Sequence, residues 1–362
     1  MQETELKQRR REIDKMDEEI VRLLHERARV AKKIGAAKDA SARGIYAPDR
    51  ERQVIEHAQA VEPDGPLSAP QLTAIYRQII SACRDLERPL RIAYFGPEAT
   101  YTHQAALERF GEATTLIPIE SIPEVFNETQ RGRADFGVVP VENSTEGPVY
   151  LTLDSFMESD LKVCSEIVLP ISLQLMSRAE KQAIETVYSN PVAFGQCREW
   201  VAHNLPGRRI VDAVSTARAA MMAAEDPSGA AIGPRLAASV YGLEIVDQDI
   251  QDLASNYTRF YVIGASAASG PTGRDKTAVV FSVRDRVGAL RDAAGVFAAR
   301  NLNMSSIQSR PSRRKAWDYV FFVEFIGHEQ DSVVGEALEE LSSQCAFVKV
   351  LGSWPTDSAS AP

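Results

Sequence analysis

Ser255-Asn256-Tyr257-Thr258-Arg259-Phe260 puts an amide, a hydroxyl and a guanidinium within five residues, at the mouth of the apolar run Tyr261-Val262-Ile263. Polar groups at the mouth of a buried strand commonly face a ligand cleft. The segment alone reads more readily as a turn capped by Asn and Thr with its arginine in solvent. Near the N-terminus, cations recur on an apolar-periodic stretch. At about 100° per helical residue, Arg27 and Lys38 fall within roughly 20° of each other, so they can line one pocket. Arg10 is rotated about 100° from Arg27 and could enter that pocket only from a second chain. Arg50-Glu51 opens the next helical stretch and Glu87 closes a third. Further polar groups stand at strand ends: Gly96-Pro97 to Thr100, Glu142-Asn143-Ser144, and Ser215-Thr216-Ala217. Hydroxyls that open a helix after a strand leave backbone N–H groups free to seat an anion.

The elements that must hold these groups follow from periodicity. Ile13, Met16, Ile20, Leu23, Leu24, Val30, Ala31 and Ile34 recur at three- and four-residue steps without proline, which predicts one helix over about residues 5–40. Helices over about 49–61 and 69–86 follow, separated by Glu62-Pro63-Asp64-Gly65-Pro66. A long amphipathic helix cannot bury its stripe alone, so interlocked three-helix units in a homodimer are expected. From Leu90 onward, short apolar strands alternate with helices for about 175 residues. Two α/β lobes fit that length, the chain crossing near residue 170 and returning near 250. Residues 265–273 (ASAASGPTG) read as a flexible linker. A compact βαββαβ pattern follows, with strands at about 276–284, 302–311, 316–326 and 346–352.

The bulk composition narrows the function classes. The 362 residues carry a net charge of -9, with 44% hydrophobic and 25% charged residues. Residues 1–90 are nearly balanced, so the acidity lies in the remainder, which argues against a nucleic-acid partner. Cys83, Cys164, Cys197 and Cys345 are scattered without a CxxC pair. Reduced thiols in a cytoplasmic protein are therefore expected, with no metal site. No apolar run approaches the ~20 residues of a membrane span.

Over about residues 5–88, the pattern Arg10, Glu26-Arg27, Gly35-Ala36-Ala37-Lys38 and Asp49-Arg50-Glu51-Arg52 resembles the all-helical chorismate mutase domain. The resemblance implies that Arg10 (from a partner), Arg27 and Arg50 hold carboxylates and position the substrate. It implies that Lys38 bonds the ether oxygen and Glu51 the ring hydroxyl. A pericyclic rearrangement needs a compact conformer and fixed positive charge at the developing oxyanion, not a nucleophile. Cys83 stands where a serine is often found, and Glu87 where a glutamine serves the ether oxygen. A carboxylate there would repel the developing charge, so Glu87 is expected to act as a carboxylic acid.

Over about residues 90–265, Gly96-Pro97-x-x-Thr100, Glu142-Asn143-Ser144, Gln196-Cys197, Ser215-Thr216-Ala217 and Asn256-x-Thr258-Arg259-Phe260 resemble prephenate dehydratase. That implies a bilobed, periplasmic-binding-protein-like fold with Thr258 as the essential hydroxyl. Thr100, Asn143, Ser144, Ser215, Asn256 and Arg259 are substrate-binding candidates; Arg259 could equally pair with a neighbouring acid. Asn190-Pro191-Val192 replaces the more usual His-Pro-Gln, leaving His103 as the histidine inside a matching motif. Gly288-Ala289-Leu290 and Gln308-Ser309-Arg310-Pro311 resemble the ligand motifs of an ACT domain, with Gln308 where glutamate is usual.

Together these resemblances imply a multidomain chain. Residues 1–88 would be an all-α mutase, 89–265 a two-lobed α/β dehydratase, 274–353 an α+β ACT domain, and 354–362 a disordered tail. The expected ligands are chorismate, prephenate and, as allosteric inhibitor, L-phenylalanine. No cofactor is expected, and no membrane or nucleic-acid partner. A non-catalytic small-molecule sensor with a helical dimerisation arm is the competing reading. It has no need of Arg27, Lys38 and Arg50 together, nor of the Thr258 cluster.

Overall fold

The computed structural model describes residues 2–37, 46–253, 255–266, 270–312 and 319–356. The chain divides into two compact units, residues 1–90 with 110–115, and residues 91–109 with 116–362.

The first unit is helical. Helix α1 (Gln2–Ala37) ends one residue before Lys38, which lies outside the described residues. Helix α2 (Pro48–Val61) opens on proline, whose missing N–H costs nothing in a first turn. Asp49 and Glu51 in that turn complement the helix dipole. Helix α3 (Ala69–Glu87) is started by Gln71, whose side chain accepts the Ser68 N–H at 2.8 Å. Helix α3 packs on both α1 and α2. Gly35 permits the approach to α1, because a Cβ there would lie 2.8 Å from the Glu87 Cβ. Ile13, Met16, Ile20 and Leu23 on α1 remain half exposed or more in the single chain.

The second unit holds three sheets. The first has the order β2 (Thr115–Ile119), β1 (Arg91–Phe95), β3 (Phe136–Asn143), β11 (Tyr257–Gly264), β5 (Lys162–Pro170). The second runs β10 (Glu244–Asp247), β6 (Gln174–Ser177), β9 (Gly229–Gly233), β7 (Thr186–Ser189), β8 (Arg209–Asp212). The apolar stretch from Cys164 to Leu175 breaks after Pro170, and residues 171–173 carry the chain to the second sheet. Return is by β11, antiparallel to both β3 and β5. The two-lobe expectation and its crossing points are therefore as read. Helices α4 (Tyr101–Phe110), α5 (Ile122–Gln130) and α6 (Tyr150–Glu158) accompany the first sheet. Around the second are α7 (Pro191–Gln196), α8 (Arg198–Asn204), α9 (Thr216–Glu225) and α10 (Arg235–Tyr241). Helix α9 lies close because small residues face it: a Cβ on Gly233 would sit 3.1 Å from the Thr216 Cβ.

The third sheet, in the order β13 (Met304–Pro311), β14 (Tyr319–Ile326), β12 (Asp275–Val283), β15 (Cys345–Pro355), carries α11 (Ala289–Ala298) and α12 (Ser332–Gln344). It does not hang from the lobe as a tethered module. Val280, Phe322, Leu351 and Trp354 share one core with Val139, Val163, Tyr261 and Ile263 of the first lobe. This corrects the expected tail: Trp354 is wholly buried, its ring 5.3 Å from that of Tyr261, and Pro355 ends the strand. The aromatic surface of Trp354 is the reason, since leaving so large a ring in water forgoes its burial. Residues 357–362 lie outside the described residues. Of the expected linker, residues 267–269 are likewise outside. Thr272 and Gly273 donate their N–H groups to the Asp275 carboxylate at 2.7 and 3.0 Å.

Gly352 seals this junction. Its φ of +146° disfavours a side chain, and a Cβ would stand 2.4 Å from the Val163 carbonyl oxygen on β5. Gly352→Ala should cost about 2–4 kcal/mol by adding backbone strain and a clash. Urea unfolding of the full chain measures it; unchanged stability would show that the contact between β15 and β5 gives way freely.

Candidate functional sites

The three helices of the first unit enclose a cavity of about 510 Å³. Arg27 reaches it from α1, Arg50 and Glu51 from α2, and Cys83, Arg84 and Glu87 from α3. Val30, Ile34, Val54 and Ile80 supply apolar wall between them. The spacing explains the convergence: residues 27, 30 and 34 share one face of α1, as 80, 83, 84 and 87 share one face of α3. Five expected site residues, Arg27, Arg50, Glu51, Cys83 and Glu87, thus line a single cavity, whereas Lys38 lies outside the described residues. Arg10 is exposed, 17 residues before Arg27 and so about 25 Å away along the helix. It takes no part in this cavity.

Arg84, directly after Cys83 on α3, was not among the expected residues. It is 4% exposed, gives one terminal nitrogen to Glu51 at 2.5 Å, and gives the other to the Phe110 carbonyl oxygen at 2.6 Å. The rings of Tyr46 and Phe110 lie 5.9 and 5.4 Å from its guanidinium carbon.

In the first lobe, the pairing of β3 with β11 sets Thr258 directly opposite Asn143. The Asn143 amide nitrogen lies 2.9 Å from the Thr258 hydroxyl oxygen and 2.8 Å from the Asn256 side-chain oxygen. Its carbonyl oxygen accepts the N–H groups of Thr145 and Glu146 at 2.9 and 3.0 Å. Asn143 is therefore held at both ends, and Thr258 accepts from it. That leaves the Thr258 O–H as a donor, the role a departing oxygen requires. Asn256 is 2% exposed, and its side-chain nitrogen has no partner among the described residues, a donor available at the site. The Ser144 hydroxyl accepts the Tyr257 N–H at 2.9 Å. Ser215 caps α9 in the second lobe, accepting the Arg218 N–H at 3.1 Å.

Thr100 shapes the loop after β1. Its hydroxyl donates to the Pro97 carbonyl at 3.0 Å and accepts the His103 N–H at 3.3 Å. Ala99 in this loop has φ +63° and is wholly buried with Met176, Ala213 and Ala217 of the second lobe. Tyr241 of α10 donates to the Glu98 carbonyl at 3.3 Å. The loop thus spans the two lobes. His103 supports it: Nδ1 accepts the Ala99 N–H at 3.0 Å, and the ring stacks on Tyr94 at 4.8 Å. Burial lowers the His103 pKa, opposed by Glu98, and the accepting Nδ1 requires a neutral ring. Folding then favours the neutral form, so His103 stabilises above the unfolded value of about 6.5, and this is lost as pH falls below it. Melting temperature should fall from pH 7 to pH 5, and less so in His103→Asn; equal slopes in both proteins would remove His103 from the account.

Arg259 is engaged by carboxylates. Its terminal nitrogens bond Glu142 at 2.8 Å, Glu166 at 3.1 Å and Glu324 at 2.6 Å. Glu142 and Glu166 belong to β3 and β5, and Glu324 to β14 of the third sheet. Lys276 joins Glu166 at 2.9 Å, and the Tyr261 hydroxyl donates to Glu324. Burial opposes the charge, but Tyr261, Glu324 and Glu166 outweigh it and raise the pKa of Arg259. The alternation of β11 is the cause: Thr258 and Arg259 point to opposite faces, and Arg259 meets the third sheet. Of the two roles left open for Arg259, ligand anchor or ion-pair partner, the second is the one these contacts support. Glu324→Ala should cost about 2–3 kcal/mol, because a buried guanidinium and a buried phenol lose an acceptor. Urea unfolding is the check, with no loss as the contrary result.

In the third sheet, Gly288 adopts φ +81° at the start of α11, followed by buried Ala289 and partly exposed Leu290. Gln308, Ser309, Arg310 and Pro311 run along the edge strand β13. Gln308 touches a water-sized void of about 30 Å³ beside Glu142, Tyr261 and Glu324. Arg310 is engaged already, bonding Asp154 of α6 through two nitrogens at 3.1 and 2.6 Å and lying 4.2 Å from the Tyr150 ring.

Among the described residues no group of His, Cys, Asp and Glu is placed to hold a metal, and no helix is long and apolar enough to cross a membrane. Residues 9–88 match the family described as Chorismate mutase type II, residues 92–268 Prephenate dehydratase, and residues 277–343 ACT domain. The chain is 47% identical over 355 residues to the bifunctional chorismate mutase/prephenate dehydratase of Aquifex aeolicus strain VF5, covering 97% of this chain and 98% of that one. The like-named Pseudomonas aeruginosa protein is 39% identical over 358 residues, covering 97% and 98%. Among solved structures, prephenate dehydratase in complex with L-Phe from Arthrobacter aurescens aligns with a TM-score of 0.70 at 34% identity, covering 75% of this chain and 92% of that one. A match of this length and order places the chain in the bifunctional chorismate mutase/prephenate dehydratase family.

Proposed function

We propose that this chain rearranges chorismate to prephenate in the helical cavity, then converts prephenate to phenylpyruvate at the Asn143–Thr258 site. The observation that carries the reading is the convergence of Arg27, Arg50, Glu51, Cys83 and Glu87 from three helices on one cavity. Arg27 and Arg50 would hold the two carboxylates of chorismate in a folded conformer, which removes the entropic part of the barrier. Glu51 would accept the ring hydroxyl. Lys38 would donate to the ether oxygen as negative charge develops on it, with Glu87 placed beside it. Arg10 would come from a second copy. The half-exposed stripe of α1 supports a homodimer, since one chain leaves it uncovered.

In the second reaction a carboxylate leaves prephenate as carbon dioxide. Its bonding electrons aromatise the ring, and the ring hydroxyl departs as water after taking a proton. Thr258 would donate to that departing oxygen. The open Asn256 amide nitrogen, with Asn143, Thr100, Ser144 and Ser215, would hold the retained carboxylate and orient the ring. L-phenylalanine would bind through Gly288-Ala289-Leu290 and the Gln308-to-Pro311 segment, and inhibit. Assignment of residues 1–88, 89–265 and 274–353 to the three roles goes with this reading, as does a cytoplasmic location.

Purified full-length protein mixed with chorismate decides the matter: ultraviolet loss of chorismate with phenylpyruvate appearing is expected, and binding without turnover would mark a sensor. Thr258→Ala should lower dehydratase kcat by about 10²–10⁴-fold, the usual span for one positioned proton donor, while mutase turnover stays at the wild-type rate. Joint loss of both activities would contradict two separate sites.

A further inference from the structure

Among the described residues, Arg84 is the one buried cation of the helical cavity wall to which no role in the rearrangement has been assigned above. It stands on α3 between Cys83 and Glu87, and its guanidinium is held at both ends. One terminal nitrogen reaches Glu51 on α2 at 2.5 Å. The other reaches the Phe110 carbonyl oxygen at 2.6 Å, with the Thr114 hydroxyl at 3.4 Å. The Tyr46 and Phe110 rings flank it. A guanidinium anchored in this way is not free to swing toward a ligand, so its influence on a substrate passes through its partner.

That partner has two oxygens, and Arg84 occupies one. Glu51 also lines the cavity and keeps 17% of its side chain exposed. A glutamate left to itself loses rotamer freedom whenever it accepts a hydrogen bond from a ligand. One already tied by a charge-assisted bond loses little, so the second oxygen is presented ready-made.

We propose that Arg84 is a positioning residue. It fixes the Glu51 carboxylate so that its second oxygen faces the cavity and accepts the ring hydroxyl of the substrate. The proposal rests on the mutase reading above and adds to it a residue that sets hydroxyl recognition.

The test uses full-length protein and chorismate, with Arg84→Met, Arg84→Lys, Glu51→Gln and the double variant Arg84→Met/Glu51→Gln. Loss of one charge-assisted hydrogen bond predicts a fall in mutase kcat/KM of roughly 10- to 100-fold for Arg84→Met and for Glu51→Gln. The fall should appear mostly in KM, as expected for an interaction already made in the ground state. The double variant should be no worse than the poorer single one, because both substitutions remove the same recognition. A chorismate analogue lacking the ring hydroxyl should be turned over equally by wild type and Arg84→Met. Prephenate turnover and thermal melting report folding. Should Arg84→Met not fold, Arg84→Lys takes its place, since a single ammonium reaches Glu51 or Phe110 but not both. Three results would overturn the proposal: wild-type kinetics in the Arg84 variants, losses that multiply in the double variant, or an equal loss on the analogue. A wild-type chain inactive on chorismate overturns both this and the mutase reading; an active one with unaffected Arg84 variants overturns this alone.

Discussion

One arginine ties three β-strands from two sheets. Arg259 meets carboxylates on β3, β5 and β14, and Lys276 shares the Glu166 carboxylate with it. Each of these charges would be costly to bury alone; together they satisfy one another. The cluster lies directly behind Thr258, on the opposite face of β11. Whatever fixes Arg259 therefore fixes the backbone that presents the Thr258 hydroxyl. Tyr261, whose hydroxyl bonds Glu324, also belongs to the apolar core it shares with Trp354, so the cluster borders that core.

This arrangement makes the third sheet a structural neighbour of the dehydratase strand. Glu324, on the central part of β14, is a direct ligand of the residue next to Thr258. Arg310, within the second ACT motif, is bound to Asp154 on α6. A ligand that shifted β13 or β14 would have two ionic handles on the first lobe. Such a ligand needs only to bind two arrangements of these strands unequally.

The helical unit follows a different logic. Its cavity is built from short-range rules: apolar rows at three- and four-residue steps, a proline-started helix, and a capped third helix. Arg27 was legible from helical spacing, whereas Arg50, Glu51, Cys83 and Glu87 were singled out by the resemblance to the mutase pattern. Arg84 was not, because a charged residue beside an apolar stripe reads as solvated surface. Its burial depends on Phe110 and Thr114, which lie some 26 and 30 positions away in the chain. Arg10 takes no part in the cavity, and the apolar stripe of α1 is exposed in the single chain.

By itself the sequence determined the element types, the order of helical unit, two α/β lobes and ββ-rich C-terminal domain, and the crossing points near residues 170 and 250. Periodicity, turn residues and strand-end motifs are local, and local patterns carry that information. It also singled out Asn143 and Asn256, which the strand pairing brings beside Thr258. Only the tertiary structure decided what Arg259 and Trp354 do. An arginine can be a ligand anchor or an ion-pair partner, and a terminal tryptophan can lie in a tail or a core. The choice turns on which distant carboxylates and rings come within reach, and that depends on strand order and register between residues about 65 to 120 positions apart.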